Sequence, residues 1–407
     1  MLSAETAPEL LTEDIEGDLP GWLREPWEAL RAALAARGGA GGPFFGFDWA
    51  QIYARELRER VGAPRTFLAW QGSSLVGAVA LVAERRRLAH APARILRSLS
   101  DDHSQRWDAL VVDRAAADVL VTRLLADGSW DVLELRDVAD GPSSAELLVE
   151  AARDAGCLVG EWPSQLSPVL ELSADPDAIL DRLDAKFRAN LRRRGRRLAE
   201  EVGPVTLEVI GAADEADAAL EEAFRLEAAG WKGDEGTAIA CDPALVRTYR
   251  ALARGLAARG ALALAFLRAG ERRVAMHFAA VEGGVYYLFK VGSDPALGRY
   301  GLGHLLVAEV ARHFGARGVR ELDFLGDAAD WKREWTPRTR NHRWRYVFRP
   351  SLRGRVLAAW KLHAVPRLKQ LAEGLRLSLR AEADRGAAPE GSRWETAAAP
   401  RRSEQAE

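Results

Sequence analysis

The sequence predicts an α/β protein, of the α+β kind, made of two copies of one unit, each a mixed sheet flanked by helices. Three observations carry this. Residues 285–291, VYYLFKV, are mostly β-branched and aromatic and end at Gly292-Ser293-Asp294-Pro295, which reads as a buried strand closed by a loop. Leu302, Leu305, Leu306, Val310 and Phe314 then recur at helical spacing, and residues 321–325 form a second strand. Finally, FLAWQGSSLVGAVA at 67–80 parallels LALAFLRAGERRVAM at 262–276, each reading as strand, tight turn and strand.

The other elements follow the same patterns. Residues 1–42 read as a mobile arm with one helix over 22–37, ended by Gly38 and Gly39. The first unit, 43–175, predicts a helix over 49–61 and strands at 66–70, 75–84, 109–112, 130–136 and 169–172. Helices are predicted over 115–127 and 144–155. Residues 176–205 predict a basic linker helix, with Ile179, Leu183, Phe187, Leu191 and Leu198 on one side and arginines on the rest. The second unit, 206–350, predicts a strand at 206–210, helices over 212–229 and 243–259, and a hairpin at 262–281 before the glycine-bearing segment. A basic amphipathic helix over 351–380 and a disordered tail over 381–407 complete the chain.

Composition narrows the function classes. The chain has 407 residues and a formal net charge of −2, which argues against generic binding of DNA. Cys157 and Cys241 lie far apart without a metal-ligand spacing, so both read as buried thiols in a reducing compartment, with no metal site. The N-terminus is acidic and lacks the apolar core of a signal peptide, and no apolar run reaches the ~20 residues of a membrane span. A cytoplasmic protein is expected. The basic segment 351–380 either packs on the second unit or touches an anionic membrane.

Gly298, Gly301 and Gly303 stand where the strand becomes the helix, letting backbone approach an anion at the helix start. There is no Walker lysine and no third dinucleotide-fingerprint glycine. The segment resembles the acyl-CoA diphosphate loop of GNAT-type acetyltransferases, Gln/Arg-x-x-Gly-x-Gly/Ala. Gly301 and Gly303 fit, Gly298 takes the Gln/Arg place, and Arg299 comes one residue late. KFRANLRRR at 186–194, EAAGWKGDEGTAI at 227–239 and DFLGDAADWK at 323–332, with the duplication, resemble the tandem arrangement of CelD-like acetyltransferases of cellulose biosynthesis. Fem peptidoglycan aminoacyltransferases are more distantly similar.

The resemblance implies an N-acyltransferase taking an acyl group from acyl-CoA, acetyl-CoA first, to an amine on a sugar, an envelope precursor or a small metabolite. It places Lys290, Val291, Gly292, Arg299, Tyr300, Gly301, Leu302, Gly303 and His304 at the cofactor, with the thioester carbonyl near residues 290–292. No nucleophilic residue is required, consistent with the lack of a Gly-x-Ser-x-Gly or Cys/His signature. For acid–base work the candidates are Lys332 and Tyr300, together with Asp102 and His103 in the charged stretch 101–108, which otherwise reads as a polar turn. Trp231, Lys232, Trp331, Arg188 and Arg192 are candidates for the substrate. Each of these also reads as an ordinary surface or packing residue. A Fem-like enzyme using aminoacyl-tRNA and a non-catalytic scaffold of polysaccharide assembly remain open. Gly301→Val and Gly303→Val are both expected to weaken CoA binding and leave the fold intact.

Overall fold

A computed structural model of the chain describes residues 9–39, 41–56, 58, 62–141, 143–230, 233, 235–368, 370, 371 and 376. Its strands are β1 (Leu10–Glu16), β2 (Ala63–Gln71), β3 (Ser74–Leu88), β4 (Ala91–Ser98), β5 (Leu110–Val111), β6 (Val132–Ala139), β7 (Leu158–Glu171), β8 (Val205–Ile210), β9 (Leu262–Ala269), β10 (Arg272–Glu282), β11 (Val285–Ser293), β12 (Glu321–Asp323) and β13 (Thr339–Phe348). The longer helices are α1 (Arg24–Ala36), α2 (Phe47–Glu56), α3 (Arg114–Ala126), α4 (Ser144–Asp154), α5 (Pro176–Asp181), α6 (Ala185–Glu201), α7 (Ala213–Ala228), α8 (Pro243–Ala258), α9 (Leu302–Gly315), α10 (Asp330–Arg333) and α11 (Leu352–Ala359).

The expected mixed α/β architecture is present, but the two copies share one sheet. Its order is β1-β2-β3-β4-β6-β13-β7-β12-β11-β10-β9-β8, with β5 paired to β3. Each copy holds one parallel pair, β4 with β6 and β11 with β12, made by a strand–helix–strand crossover. The halves are joined by β7, which pairs with β13 over 158–168 and then with β12 over Val169–Glu171. Sequence reading placed 339–348 in the second unit, yet β13 is hydrogen-bonded between β6 and β7 of the first. Its run of arginines and one histidine hid its period, and Pro163 and Pro168 hid most of β7. A register shift in that ladder, between Asn341 and Arg343, lies beside Pro163 and accommodates its missing donor.

The N-terminal segment is not a mobile arm. β1 extends the sheet by pairing with β2, and α1 buries Trp27, Leu30 and Leu34, with Leu23 just before it. Each such buried side chain contributes roughly 1.5–3 kcal/mol toward holding the segment on the sheet. α1, α2, α7 and α8 cover one face of the sheet across both halves. α5, α6 and α9 cover the other face of the second half, and α3 and α4 that of the first. The expected single basic helix breaks between α5 and α6 at residues 182–184, where Asp184 caps α6 by accepting from the amides of Lys186 and Phe187. Leu191 and Leu198 make α6 part of the core rather than a free linker. Cys157 is buried, as expected, and burial pushes its thiol up to about 11, whereas Cys241 ends a surface turn and is exposed. Among the described residues no helix is long and apolar enough to cross a membrane.

Candidate active site

The site begins where β11 outruns its neighbour. β12 pairs with β11 only from Val285 to Tyr287, and β11 continues to Ser293, so the two strands part there. A register shift against β10 leaves Phe289 as an extra residue in β11 just before Lys290. Gly292 follows because nothing larger fits: a Cβ there would stand 2.6 Å from the Glu227 amide nitrogen on α7. Asp294 caps a short turn by accepting from Ala296 N–H, and Gly301, at φ +62°, swings the chain into α9. A glycine cap brings no side chain, so the amides of Leu302, Gly303 and His304 start the helix without a capping carboxylate. At Gly303 an added methyl would meet no other part of the protein within 4 Å. A cavity of about 160 Å³ lies beside this corner, lined by Glu227, Met276, His277, Val291, Gly292 and Gly303.

The corner is also cationic, through a residue that sequence reading did not single out from the arginine run of 186–197. A Cβ at Gly301 would lie 2.8 Å from Nη1 of Arg194, and among the described residues Arg194 forms no salt bridge. A guanidinium beside the positive end of a helix is unfavourable until an anion joins them. The signal was there: Leu191, Arg194 and Leu198 follow i, i+3, i+7 spacing, which puts Arg194 on the buried face of α6.

The residues expected at the cofactor divide accordingly. Val291, Gly292, Leu302 and Gly303 sit at the corner with the His304 amide. Arg299 and Tyr300 do not point there. Arg299 pairs with Glu201 at 3.0 Å, and the Tyr300 hydroxyl donates to the same carboxylate while accepting from Arg299. That network holds the Glu201 carboxyl below its usual range, chiefly through Tyr300, and ties the loop to α6. Tyr300 is 1% exposed, which removes it as a proton donor to a ligand at the corner. The His304 ring is turned inward: its Nδ1 accepts from Trp335 Nε1 at 3.1 Å, and burial lowers its pKa.

Past β12 the chain reverses through Leu325, at φ +51°, and Gly326. Lys332 holds that reversal, its Nζ donating to the carbonyls of Leu325 and Asp327, and burial pushes its pKa down to about 8. Lys332 is thus neither solvated nor free; it braces a strained loop. Trp331 packs edge-on against Phe324 at 5.5 Å. Arg188 is likewise structural, pairing with Asp181 at 3.1 Å, and Arg192 lines a separate cavity of about 220 Å³ between α6 and α9. Trp231 and Lys232 lie outside the described residues.

The stretch 101–108 meets the second half. His103 Nδ1 lies 3.0 Å from the hydroxyl of Tyr249 on α8, and Lys290 Nζ sits 5.9 Å from the Tyr249 ring centroid. Asp102 is not part of that contact. It is exposed, and Asp101 instead shapes the loop, accepting from the amides of His103 and Ser104. Sequence reading also missed Tyr249 and His277. The latter, facing the cavity from β10, is kept neutral by burial, which pushes it down to about 3. Both look like core positions in sequence, Tyr249 on an amphipathic helix and His277 in an apolar strand. Among the described residues no cluster of three His, Cys, Asp or Glu is placed to hold a metal.

Gly301→Val is expected to destabilise the protein by about 2 kcal/mol, because a β-branched residue at φ +62° is strained and its Cβ crowds Arg194. A denaturant melt measures this, and an unchanged midpoint would refute it. The two glycines are therefore not equivalent, contrary to the sequence expectation.

Residues 185–333 match the family described as acetyltransferase (GNAT) domain. Among solved structures, the chain is similar to FemX, at 10% identity and a TM-score of 0.53, over 86% of this chain and 99% of that one. It is also similar to L-PGS from Bacillus licheniformis, at 11% identity and a TM-score of 0.50, over 85% and 97% of the two chains. At such identities the likeness is one of fold. No curated protein matches the sequence. The matched segment runs from α6 through the glycine corner to the Lys332 loop, so the chain carries a GNAT-type acetyltransferase domain and is an N-acyltransferase.

Proposed function

We propose that the second half binds acyl-CoA, acetyl-CoA first, and passes its acyl group to an amine on a sugar, an envelope or exopolysaccharide precursor, or a small metabolite. This is the activity implied by the resemblance to CelD-like acetyltransferases. The observation that carries it is the uncapped start of α9 beside Arg194 and beside the cavity that Val291, Gly292 and Gly303 line. The amides of Leu302, Gly303 and His304, with Arg194, would hold the diphosphate; β11 at Lys290 and Val291, past its pairing with β12, would orient the thioester. The bound coenzyme supplies an activated acyl group. The chain then needs to align an amine with it, exclude water and manage one proton.

Titration calorimetry of the full chain with acetyl-CoA tests the reading, and no binding at millimolar ligand would end it. Arg194→Ala is expected to weaken acetyl-CoA about tenfold and to flatten the salt dependence of binding, since one charge-assisted contact is lost. Equal affinity and salt response in this variant would exclude Arg194 from the site.

A second reading, transfer from aminoacyl-tRNA, is favoured by Arg192 and Arg196 on α6, which are exposed and have no salt bridge among the described residues. On that reading tRNA stabilises the protein and acetyl-CoA does not. A cytoplasmic setting belongs to the same proposal. So does contact with an anionic membrane through the basic segment 351–380, in which Leu352, Val356, Leu368 and Leu371 are exposed.

A further inference from the structure

The two copies place equivalent connections at equivalent points. β11 leads through the glycine corner to α9 and on to β12, and β4 leads through residues 99–113 to α3 and on to β6. Their chemistry has parted. α9 starts on a glycine, whereas α3 starts on Asp113, whose carboxylate accepts from Ala116 N–H and fills the place an anion would take. The first copy is therefore closed to a phosphate at this point.

Its loop serves the other copy instead. Ser104 accepts from Trp49 Nε1 at 3.0 Å, and Trp49 lies 5.3 Å from Phe289, the extra residue of β11. This anchors the loop against the strand that outruns β12. From there His103 reaches Tyr249, 146 residues away in sequence, with the rings edge to face at 5.8 Å. Tyr249 is 2% exposed and packs on Phe278, so its hydroxyl is a fixed point, while His103 is partly exposed. Lys290, beside the extra residue, lies over the same tyrosine ring.

We propose that His103 is the catalytic base of the acyl transfer and Tyr249 its positioning residue, so that one active site is assembled from both copies. The inference rests on the acyl-CoA reading above. The proposed tautomer has Nδ1–H donating to the Tyr249 oxygen, which fixes the ring, and Nε2 acting as the base. As the amine nitrogen bonds to the thioester carbon, Nε2 takes the proton the amine releases. As the carbon–sulfur bond breaks, that proton passes to the departing sulfur, giving an amide and a free thiol with no other reactant consumed. Among the described residues, Asp101 on its own loop and Tyr249 on α8 contact His103, and Lys290 on β11 lies over the Tyr249 ring.

The test uses the full chain, acetyl-CoA, and D-glucosamine and spermidine as amine probes, with CoA release read by a thiol reagent and binding read separately by calorimetry. His103→Asn is expected to bind acetyl-CoA as the unaltered chain does and to lose about 100-fold or more in release rate. The ionisation of the base should vanish from its pH–rate profile. Tyr249→Phe keeps the packing and is expected to lose about tenfold in kcat with KM for acetyl-CoA unchanged and that ionisation displaced. A His103→Asn rate within threefold of the unaltered chain overturns the assignment and leaves the acyl-CoA reading standing. Binding without CoA release from either probe or by hydrolysis also overturns it, because a base poised at the thioester would activate water. Failure of the unaltered chain to bind acetyl-CoA removes both readings.

Discussion

Gly303→Val is expected to cost the protein acetyl-CoA affinity, by about 100-fold or more, while its melting temperature stays within about 2 °C. Gly303 lies in the first turn of α9 at an ordinary helical angle, and a Cβ there meets nothing else of the protein within 4 Å. The fold cost is then only the modest difference in helix preference between two poor helix formers. What the valine does occupy is the open ground over the helix start, beside the cavity that Gly303 lines. Two methyl groups would hold a diphosphate beyond hydrogen-bond reach of the Leu302 and His304 amides. Calorimetry and a thermal melt on the same sample separate the effects. Undiminished affinity would move the coenzyme away from this corner.

Asp323→Asn is expected to produce the largest loss of stability, about 3–5 kcal/mol, seen as a fall of about 5 °C in melting temperature. Asp323 is fully buried on β12 and accepts from Arg106, from Arg340 and, at 2.9 Å, from the Leu325 amide. Arg106 comes from the first copy's loop and Arg340 from β13, while Arg340 also reaches Glu321 at 2.6 Å. Burial and the nearby Arg340 cation already depress Arg106 to about 9, so removing the carboxylate leaves two guanidinium groups facing each other in a dry place. The pair is also a clasp between the copies, because Arg106 follows His103 by three residues. If Asp323→Asn melts with the unaltered chain, the ion cluster does not hold the halves together.

Periodicity found most of the second half: α7, α8, β9, β10, β11 and α9 lie within a few residues of where their apolar spacing puts them. It failed at β1 and β13, whose charged and polar residues read as arm and basic surface. Each is a strand because a partner offers it a ladder, β2 for one and β6 with β7 for the other. The same divide runs through the site. Gly301 was legible because the turn at φ +62° needs glycine locally, and Gly303 because it stands two residues on in the same short motif. Arg194 was hidden inside an arginine run, where only the helix face distinguishes it from its neighbours.

By itself, then, the sequence determined the strand, glycine corner and helix, and the duplication of the unit that contains them, because both are written in spacings of a few residues. Only the tertiary structure decided that the copies share one sheet, that Arg194 rather than Arg299 stands over the corner, and that His103 meets Tyr249. Those outcomes depend on which backbone edges pair and which faces are buried. They join residues scores to hundreds of positions apart, a distance over which local pattern carries no information.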